Sequence, residues 1–229
     1  MRPALGRTEL KEVRLPTTIS RTFWSVYGRR AWDDIGPRTP LIEQVIALLR
    51  QAGAKPGDRI LDAGCGTGEI AVACARSGYQ VVAADFAPGM LHGLTRRLRT
   101  DPAVSVTVQH TDLAKPLPWP DAYFDHVLAI SVLQTLPDPV ATLRELARVV
   151  RIGGTLTLVH RTKFSRDGGV GASRTTRRSL WRLIKRTGDR FARYWAPETI
   201  RGMLRTAGFA VLAEEGDAVV ISSARRTSA

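Results

Sequence analysis

A glycine-rich turn between an apolar run and an amphipathic run limits the folds open to this chain. Residues 60–71 read Ile-Leu-Asp-Ala-Gly-Cys-Gly-Thr-Gly-Glu-Ile-Ala, which predicts a buried strand at 59–62, a sharp turn and a helix to about Ser77. Glycines at 64, 66 and 68 let the backbone pass close to a ligand, where a Cβ atom would collide. The first turn of the helix offers unpaired N–H groups at the same place. Asp62 ends the strand with a negative charge, which suits a ligand that carries positive charge.

The spacing of these glycines argues against two common phosphate-binding loops. A dinucleotide fingerprint needs the order G-x-G-x-x-G, and this chain has Glu69 where the third glycine belongs. A P-loop needs Lys and then Ser or Thr after its last glycine, and neither follows Gly68. The alternatives left open are a loop for another ligand and a glycine turn that binds nothing.

Strands and helices are predicted to alternate along most of the chain. Apolar or alternating runs predict strands at 59–62, 80–85, 104–109, 124–130 and 155–160. Periodic apolar stripes predict helices at 40–51, 69–77, 88–99, 138–150 and 197–207, and a hairpin of 209–214 with 218–223 follows. This order is typical of an α/β protein with a doubly wound parallel sheet and helices on both faces.

Positive charge is concentrated in one segment. The net charge is +13, and the stretch from Arg161 to Arg193 holds eleven basic and two acidic residues. Residues 177–195, which overlap this stretch, are predicted to form a basic amphipathic helix. Such a helix is compatible with a cover over an acidic substrate, with docking on an anionic membrane, with nucleic-acid binding and with a solvated arginine-rich face.

The composition limits which cellular compartment and which kinds of site can be expected. No run of 18 apolar residues predicts a transmembrane span, and residues 1–14 lack the apolar core of a signal peptide. Cys65 and Cys74 lie too close along the turn and helix to favour a structural disulfide. No Cys and His cluster has metal-ligand spacing. We therefore expect a cytoplasmic protein without a metal site.

Several stretches, taken in order, resemble the motifs of class I S-adenosylmethionine-dependent methyltransferases. They are residues 62–68, 81–85, 110–113, 124–128 with 136–138, and 151–156. The resemblance covers about residues 40–160 and is closest to the small-molecule branch that includes the ubiquinone and menaquinone C-methyltransferases. It implies a Rossmann-like seven-stranded sheet with a reversed last strand, and S-adenosyl-L-methionine as cofactor.

The resemblance assigns the cofactor to residues at the ends of three strands and in the glycine turn. Asp85 is expected to accept hydrogen bonds from the ribose hydroxyls and Asp112 from the adenine amino group, while Phe86 and Leu113 sandwich the adenine. The full expected set is Asp62, Gly64, Cys65, Gly66, Gly68, Asp85, Phe86, Asp112, Leu113 and Ile130. A single aspartate at a strand end is often a turn cap. Three of them beside a glycine loop favour a binding site.

We expect a single methyltransferase domain over residues 1–229, divided into four parts. They are an arm and aromatic lid helix at 1–39, a cofactor-binding core at 40–160, a basic lid or insert at 161–196 and a closing helix and hairpin at 197–229. Aromatic residues at 23, 24, 27 and 32 share one helical face. In the resembled family such a helix covers the cofactor, and the alternative is a stripe that packs on the sheet.

Methyl transfer from a sulfonium is an in-line displacement, so the protein mainly positions and desolvates the reactants. A base is needed only when the nucleophile must lose a proton early. His160, expected at the crevice end of the fifth strand, is the preferred base, and its alternative is a capping or surface histidine. Gln134 stands where many quinone-type relatives carry histidine and can only hydrogen-bond. Tyr27 is the third catalytic candidate.

Three functions follow, all enzymatic. The first is O-, N- or C-methylation of a small metabolite, acidic or aromatic. The second is methylation of a membrane-held lipid or prenylated quinone, docked through residues 177–195. Nucleic-acid methylation is disfavoured because residues 129–132 read Ala-Ile-Ser-Val, whereas many base N-methyltransferases carry Asp or Asn-Pro-Pro-aromatic after this strand.

Overall fold

One seven-stranded sheet organises the computed structural model, which describes residues 39–162, 193–216 and 219–227 together with Thr22, Trp24 and Ser25. Its strands are β1 (Arg59–Ala63), β2 (Gln80–Asp85), β3 (Val106–His110), β4 (Phe124–Ile130), β5 (Val150–Arg161), β6 (Phe209–Glu215) and β7 (Val219–Arg226). The helices are α1 (Thr39–Gln51), α2 (Glu69–Arg76), α3 (Pro88–Arg99), α4 (Pro139–Val149) and α5 (Pro197–Thr206). A short 3₁₀ helix spans Leu133–Thr135.

The strand order confirms the predicted fold class. The strands run β3-β2-β1-β4-β5-β7-β6 across the sheet. Strands β1 to β5 are parallel wherever they pair, and β7 is antiparallel to both β5 and β6. The chain is therefore a Rossmann-like doubly wound sheet with a reversed last strand.

The core lies on both faces of this sheet because neighbouring strand residues point in opposite directions. Ile60 packs with the apolar sides of α1, α2 and α3, whereas Leu61 packs with those of α4 and α5. Both side chains are fully buried. Burial on both faces explains why β1 and β2 read as continuous apolar runs.

The fifth strand is longer than its sequence predicts. The expected boundaries put a helix to Val150 and a glycine turn before a strand at 155–160, but α4 ends at Val149 and β5 starts at Val150. Pairing with β4 shifts from Phe124↔Val150 to His126↔Thr155, so the glycines form an irregularity within the strand. A Cβ atom on Gly154 would lie 2.4 Å from the Asp125 carbonyl, which explains the glycine there.

Other boundaries differ less. The third strand is Val106–His110 and not 104–109, and the 3₁₀ helix at Leu133–Thr135 was not predicted. Residues 193–196 form no helix, so the predicted basic helix does not reach Trp195. The rest of that predicted helix, from 177 to 192, lies outside the described residues.

The amino end of the sheet carries a structural histidine. His126 Nε2 donates to Asp58 Oδ2 at 3.2 Å, and its Nδ1 lies 2.7 Å from Thr155 Oγ1. Burial lowers the pKa of His126, although hydrogen bonding to Asp58 opposes that shift. The functional site is at the opposite edge, where the carboxyl ends of β1, β2 and β4 meet.

Candidate active site

The glycine turn after β1 is fixed by backbone hydrogen bonds to β2. The N–H groups of Gly64 and Cys65 both donate to the Ala84 carbonyl, at 2.8 and 3.0 Å. Gly64, Gly66 and Gly68 all have positive φ, at 76°, 57° and 75°. These angles fall in the left-handed region that favours glycine. The turn therefore requires its glycines for backbone reasons before any ligand is considered.

Close packing adds a second reason at two of the three glycines. A Cβ atom on Gly64 would lie 2.5 Å from Val132 Cγ2, and one on Gly68 would lie 2.3 Å from Leu94 Cδ1. Val132 follows β4, so the turn and the loop after β4 form one packed unit. This unit is one wall of a cavity at the carboxyl edge of the sheet.

The cavity has a volume of about 240 Å³. Its lining comes from the glycine turn, from the ends of β2, β3 and β4, and from Trp24: the residues are Trp24, Gly64, Gly66, Asp85, Phe86, Met90, Asp112, Leu113, Ala114, Lys115, Ile130, Ser131, Val132, Thr135, Leu136 and Pro137. Seven of the ten predicted cofactor residues are among them. The other three do not line the cavity: Asp62 lies in β1, and Cys65 and Gly68 belong to the following turn, which forms the wall.

Asp85 joins the end of β2 to the glycine turn. Its Oδ2 accepts from the Gly66 N–H at 3.0 Å, and its Oδ1 accepts from the Ala87 N–H at 2.8 Å. Burial raises the pKa of this carboxyl, and the backbone hydrogen bonds oppose the shift. Next to it, His110 Nε2 donates to the Phe86 carbonyl at 2.9 Å and holds the backbone at that position.

Asp62 is a buried carboxyl with an unused acceptor. The side chain is 2% exposed, and within the described residues its Oδ2 has no hydrogen-bond partner. Burial, followed by the charge of Asp85, raises the pKa of Asp62 to about 7. A cation or an N–H donor placed beside Asp62 would favour its ionised form. The site is therefore suited to a ligand with positive charge.

The loop after β3 forms the wall on the β3 side. Asp112 Oδ1 accepts from the Ala114 N–H at 3.2 Å, and the Asp112 carbonyl accepts from the Lys115 N–H at 3.0 Å. Thr142 in α4 donates its hydroxyl to the Leu113 carbonyl at 3.0 Å. This bond ties the loop to the first turns of α4.

The opposite wall, residues 130–137, was largely missed from the sequence. Within it, Ile130 was predicted as a cofactor residue and Gln134 as a catalytic candidate, and the other residues were not predicted. Ser131 has a positive φ of 56°, and its N–H donates to the Val159 carbonyl at 2.8 Å. A non-glycine residue in this conformation is uncommon and stands at the cavity. The available signal was position alone, because residues after the fourth strand of such a sheet reach the crevice.

Part of the predicted aromatic lid lies at the cavity. Trp24 lines it, and the Ser25 carbonyl would be 3.1 Å from a Cβ atom on Gly89, at the start of α3. The segment therefore crosses the amino end of α3. The other aromatic residues of the predicted stripe, Phe23, Tyr27 and Trp32, lie outside the described residues.

The two predicted catalytic side chains that the structure describes, His160 and Gln134, are not among the residues that line the cavity. His160 is 0% exposed in β5, opposite Val220, and neither ring nitrogen has a hydrogen-bond partner in the described part of the chain. Gln134 is 6% exposed, and its Oε1 is likewise without a partner there. Tyr27 lies outside the described residues. The catalytic roles of all three stay predictions.

The burial of His160 has a measurable consequence for stability. Burial lowers its pKa to about 4. The unfolded chain, with a pKa near 6.5, therefore binds a proton between pH 6.5 and 4 that the folded chain does not, so stability is lost on acidification. Replacement by leucine removes this proton linkage. We expect the free energy of unfolding of His160→Leu, relative to that of the wild type, to rise by about 2 kcal/mol from pH 7 to pH 5.

Urea unfolding at both pH values measures this difference. His92→Gln is the control, because it removes a histidine that is exposed on α3. If the difference in unfolding free energy between His160→Leu and the wild type is the same at both pH values, the imidazole is not held in an apolar site.

Comparison with known proteins finds a match for the part of the chain that forms this site. Residues 61–158, from β1 into β5, match the family model described as a methyltransferase domain. The chain is therefore similar to a methyltransferase domain over these residues. Its matched region includes the glycine turn, Asp85, the loop after β3 and the loop after β4.

Curated relatives of this methyltransferase domain are named ubiquinone biosynthesis O-methyltransferase. The protein of Xanthomonas campestris pv. campestris (strain B100) is 36% identical over 143 residues, which cover 59% of this chain and 57% of that protein. The protein of Xanthomonas oryzae pv. oryzae (strain PXO99A) is 36% identical over 147 residues with the same coverage. The chain thus spans less than two thirds of these relatives.

Solved structures share the fold over more of the chain. Magnesium protoporphyrin IX methyltransferase (ChlM) from Synechocystis PCC 6803 with bound SAM has a TM-score of 0.71 at 21% identity, covering 94% of this chain and 99% of that one. The [4+2]-cyclase SpnF has a TM-score of 0.65 at 20% identity, covering 82% and 81%. The same fold thus carries both a methyltransferase and a cyclase.

Two features are absent from the part of the chain that the structure describes. None of the helices that the described residues form is long and apolar enough to cross a bilayer. The described residues also contain no group of three or more His, Cys, Asp or Glu side chains placed to hold a metal ion.

Proposed function

We propose that this domain transfers a methyl group from S-adenosylmethionine to a small-molecule acceptor. The observation that carries the proposal is the cavity, which brings the glycine turn together with the strand ends that bear Asp85 and Asp112. The glycines leave a cradle that a Cβ atom would fill, and Asp62 has an unused acceptor in the wall. Both features fit a cofactor with an amino group and positive charge. When bound, S-adenosylmethionine supplies a methyl group already activated by a sulfonium.

The protein's own residues have separate tasks in binding. Each carboxylate oxygen of Asp85 accepts one backbone N–H and has lone-pair capacity for a ribose hydroxyl. Asp112 would accept from the adenine amino group, and Phe86 and Leu113, which also line the cavity, would contact the ring. Asp62 is suited to the amino group of the methionine part. These tasks fix the cofactor without acid–base chemistry.

The wall at residues 130–137 is mainly apolar, in contrast to the strand ends that carry Asp85 and Asp112. Ile130, Val132, Leu136 and Pro137 present apolar groups to the cavity. Apolar walls exclude water and hold an acceptor in line with the reacting methyl group. Positioning and desolvation are thus the main contributions of the chain to the reaction.

We extend the proposal to a hydroxyl oxygen as the methylated atom. The support is the name of the curated relatives, which are O-methyltransferases. The same name, ubiquinone biosynthesis, keeps a prenylated acceptor held in a membrane as the second candidate.

Calorimetry followed by transfer assays tests the proposal. We expect heat of binding with S-adenosylmethionine and with S-adenosylhomocysteine, and none with ATP or NAD, because the glycine spacing fits neither phosphate loop. Label from the methyl group should then appear in hydroxylated aromatic acceptors. Heat without transfer to any water-soluble or vesicle-held acceptor would overturn the reaction and leave only cofactor binding. Absence of heat would overturn both.

Vesicles separate the two acceptor classes. A membrane-held acceptor requires sedimentation with anionic vesicles at low salt and label in the lipid extract. A soluble acceptor requires label in the aqueous fraction. The same preparation serves both measurements.

A further inference from the structure

The cavity has an uneven distribution of charge. The carboxylates in its lining, Asp85 and Asp112, stand at the ends of β2 and β3. The wall of residues 130–137 contributes no charged residue to the lining. Lys115 is the cation among the lining residues in the described part of the chain, and it is exposed.

Arg193 is attached to this neutral wall. Its backbone N–H donates to the Gln134 carbonyl at 3.0 Å, and its Nη2 donates to the Pro137 carbonyl at 3.1 Å. Pro137 lines the cavity. Two hydrogen bonds therefore fix both the main chain and the guanidinium of Arg193 against the loop that forms the wall.

Arg193 differs in its partners from five other arginines of the described residues. Those five pair with carboxylates, and they are Arg76, Arg97, Arg148, Arg151 and Arg201. Among the described residues, Arg193 has no carboxylate partner. The nearby Asp138 uses its Oδ1 to accept from the Ala141 N–H at 2.9 Å, as the cap of α4. The charge of Arg193 is thus held in place without a counterion there.

Thr142 in α4 contacts both the loop that carries Lys115 and the loop that binds Arg193. The Thr142 hydroxyl lies 3.0 Å from the Leu113 carbonyl and 3.2 Å from the Asp138 carbonyl. Leu113 precedes Lys115 by two residues, and Asp138 follows Pro137, the partner of Arg193. The loop of Lys115 and the loop to which Arg193 is hydrogen-bonded are therefore both fixed on the first turns of α4. Lys115 lines the cavity, and Arg193 is connected to it through Pro137.

We propose that the acceptor is a small carboxylic acid whose carboxylate binds Arg193, with Lys115 as a second cation. The inference rests on the proposed function and names the acceptor class for that site. A guanidinium fixed by one hydrogen bond keeps its other N–H groups for a planar carboxylate, which it can bind in a bidentate manner. Prior fixation also lowers the entropy lost on binding.

Matched pairs of acids and amides test this proposal. The probes are benzoate, cinnamate and 3,4-dihydroxybenzoate, each with its neutral amide, titrated into the full chain saturated with S-adenosylhomocysteine. We expect the wild type to prefer the acids by at least about tenfold, as charged hydrogen bonds allow. Arg193→Gln should remove most of that preference, Lys115→Met a smaller part, and Arg193→Lys should fall between wild type and Arg193→Gln.

Two control variants also remove one positive charge each, but at positions away from the proposed carboxylate site. Arg144→Gln on the exposed side of α4 and Lys55→Met before β1 should both keep the wild-type preference. Thermal unfolding reports whether any variant is merely destabilised. Equal binding of acid and amide by the wild type, including no binding of either, overturns the proposal. Phenyl phosphate bound in preference to all carboxylates would also overturn it, in favour of a phosphate-bearing acceptor.

Failure of this inference is distinguishable from failure of the proposed function. S-adenosylhomocysteine affinity is measured first, on the same protein. Retained affinity without a preference for acids removes only the acceptor class. Loss of that affinity in the wild type removes the methyltransferase proposal itself.

Discussion

Gly68→Ala should lower the free energy of unfolding by about 2–5 kcal/mol, as the sum of a left-handed backbone cost and an overpacking cost. The backbone part arises because Gly68 has a φ of 75° at the start of α2. The packing part arises because the new methyl group would lie 2.3 Å from Leu94 Cδ1. Leu94 is fully buried in α3. Chemical denaturation measures the loss.

Two further variants separate these causes. Gly53 also has a positive φ, of 95°, but a Cβ atom there would meet nothing within 4 Å. Gly53→Ala should therefore cost only about 1–2 kcal/mol, the backbone part. In a Leu94→Ala background, the added cost of Gly68→Ala should fall toward that value, because the clash is gone. Equal costs for Gly68→Ala and Gly53→Ala would mean that the turn does not pack on α3.

Local patterns explain why this turn was predictable. Residues adjacent in sequence are enough to predict the turn, because an apolar run at β1, three glycines and an amphipathic run at α2 follow each other directly. The sheet class follows from the alternation of such segments. The positions of Asp85 and Asp112 then follow because parallel strands end at one edge. Each of these steps needs no knowledge of distant contacts.

The wall of residues 131–137 depends on distant contacts, and apart from the catalytic candidate Gln134 its residues were therefore not predicted as part of the site. The positive φ of Ser131 accompanies a hydrogen bond to Val159 in β5, and Val132 fills the space left by Gly64. No residue type in this stretch demands such a conformation. The irregular start of β5 is similar, because Gly153 and Gly154 read as a turn until pairing with β4 is known. Contacts with distant parts of the chain determine both the conformation at Ser131 and the start of β5.

Asp85→Asn should weaken binding of S-adenosylhomocysteine about 100-fold, the order expected when a charged acceptor of ribose hydrogen bonds is lost. The substitution also affects the protein itself. The carboxylate holds the Gly66 N–H with one oxygen and the Ala87 N–H with the other, and the amide has only one acceptor oxygen. One of the two N–H groups then faces an NH₂ group. Calorimetry gives the affinity and denaturation gives the stability of the same sample.

Comparison of these two measurements decides what Asp85 does. Asp121→Asn is the control, because the Asp121 side chain is 75% exposed and pairs with Arg148 away from the cavity. It should leave S-adenosylhomocysteine affinity unchanged. If Asp85→Asn is destabilised but binds normally once folded, the carboxylate serves only the turn, and its role at the ribose fails. If affinity is lost while denaturation shows a folded protein, the charge at the end of β2 acts on the cofactor directly, because the turn alone cannot account for the loss.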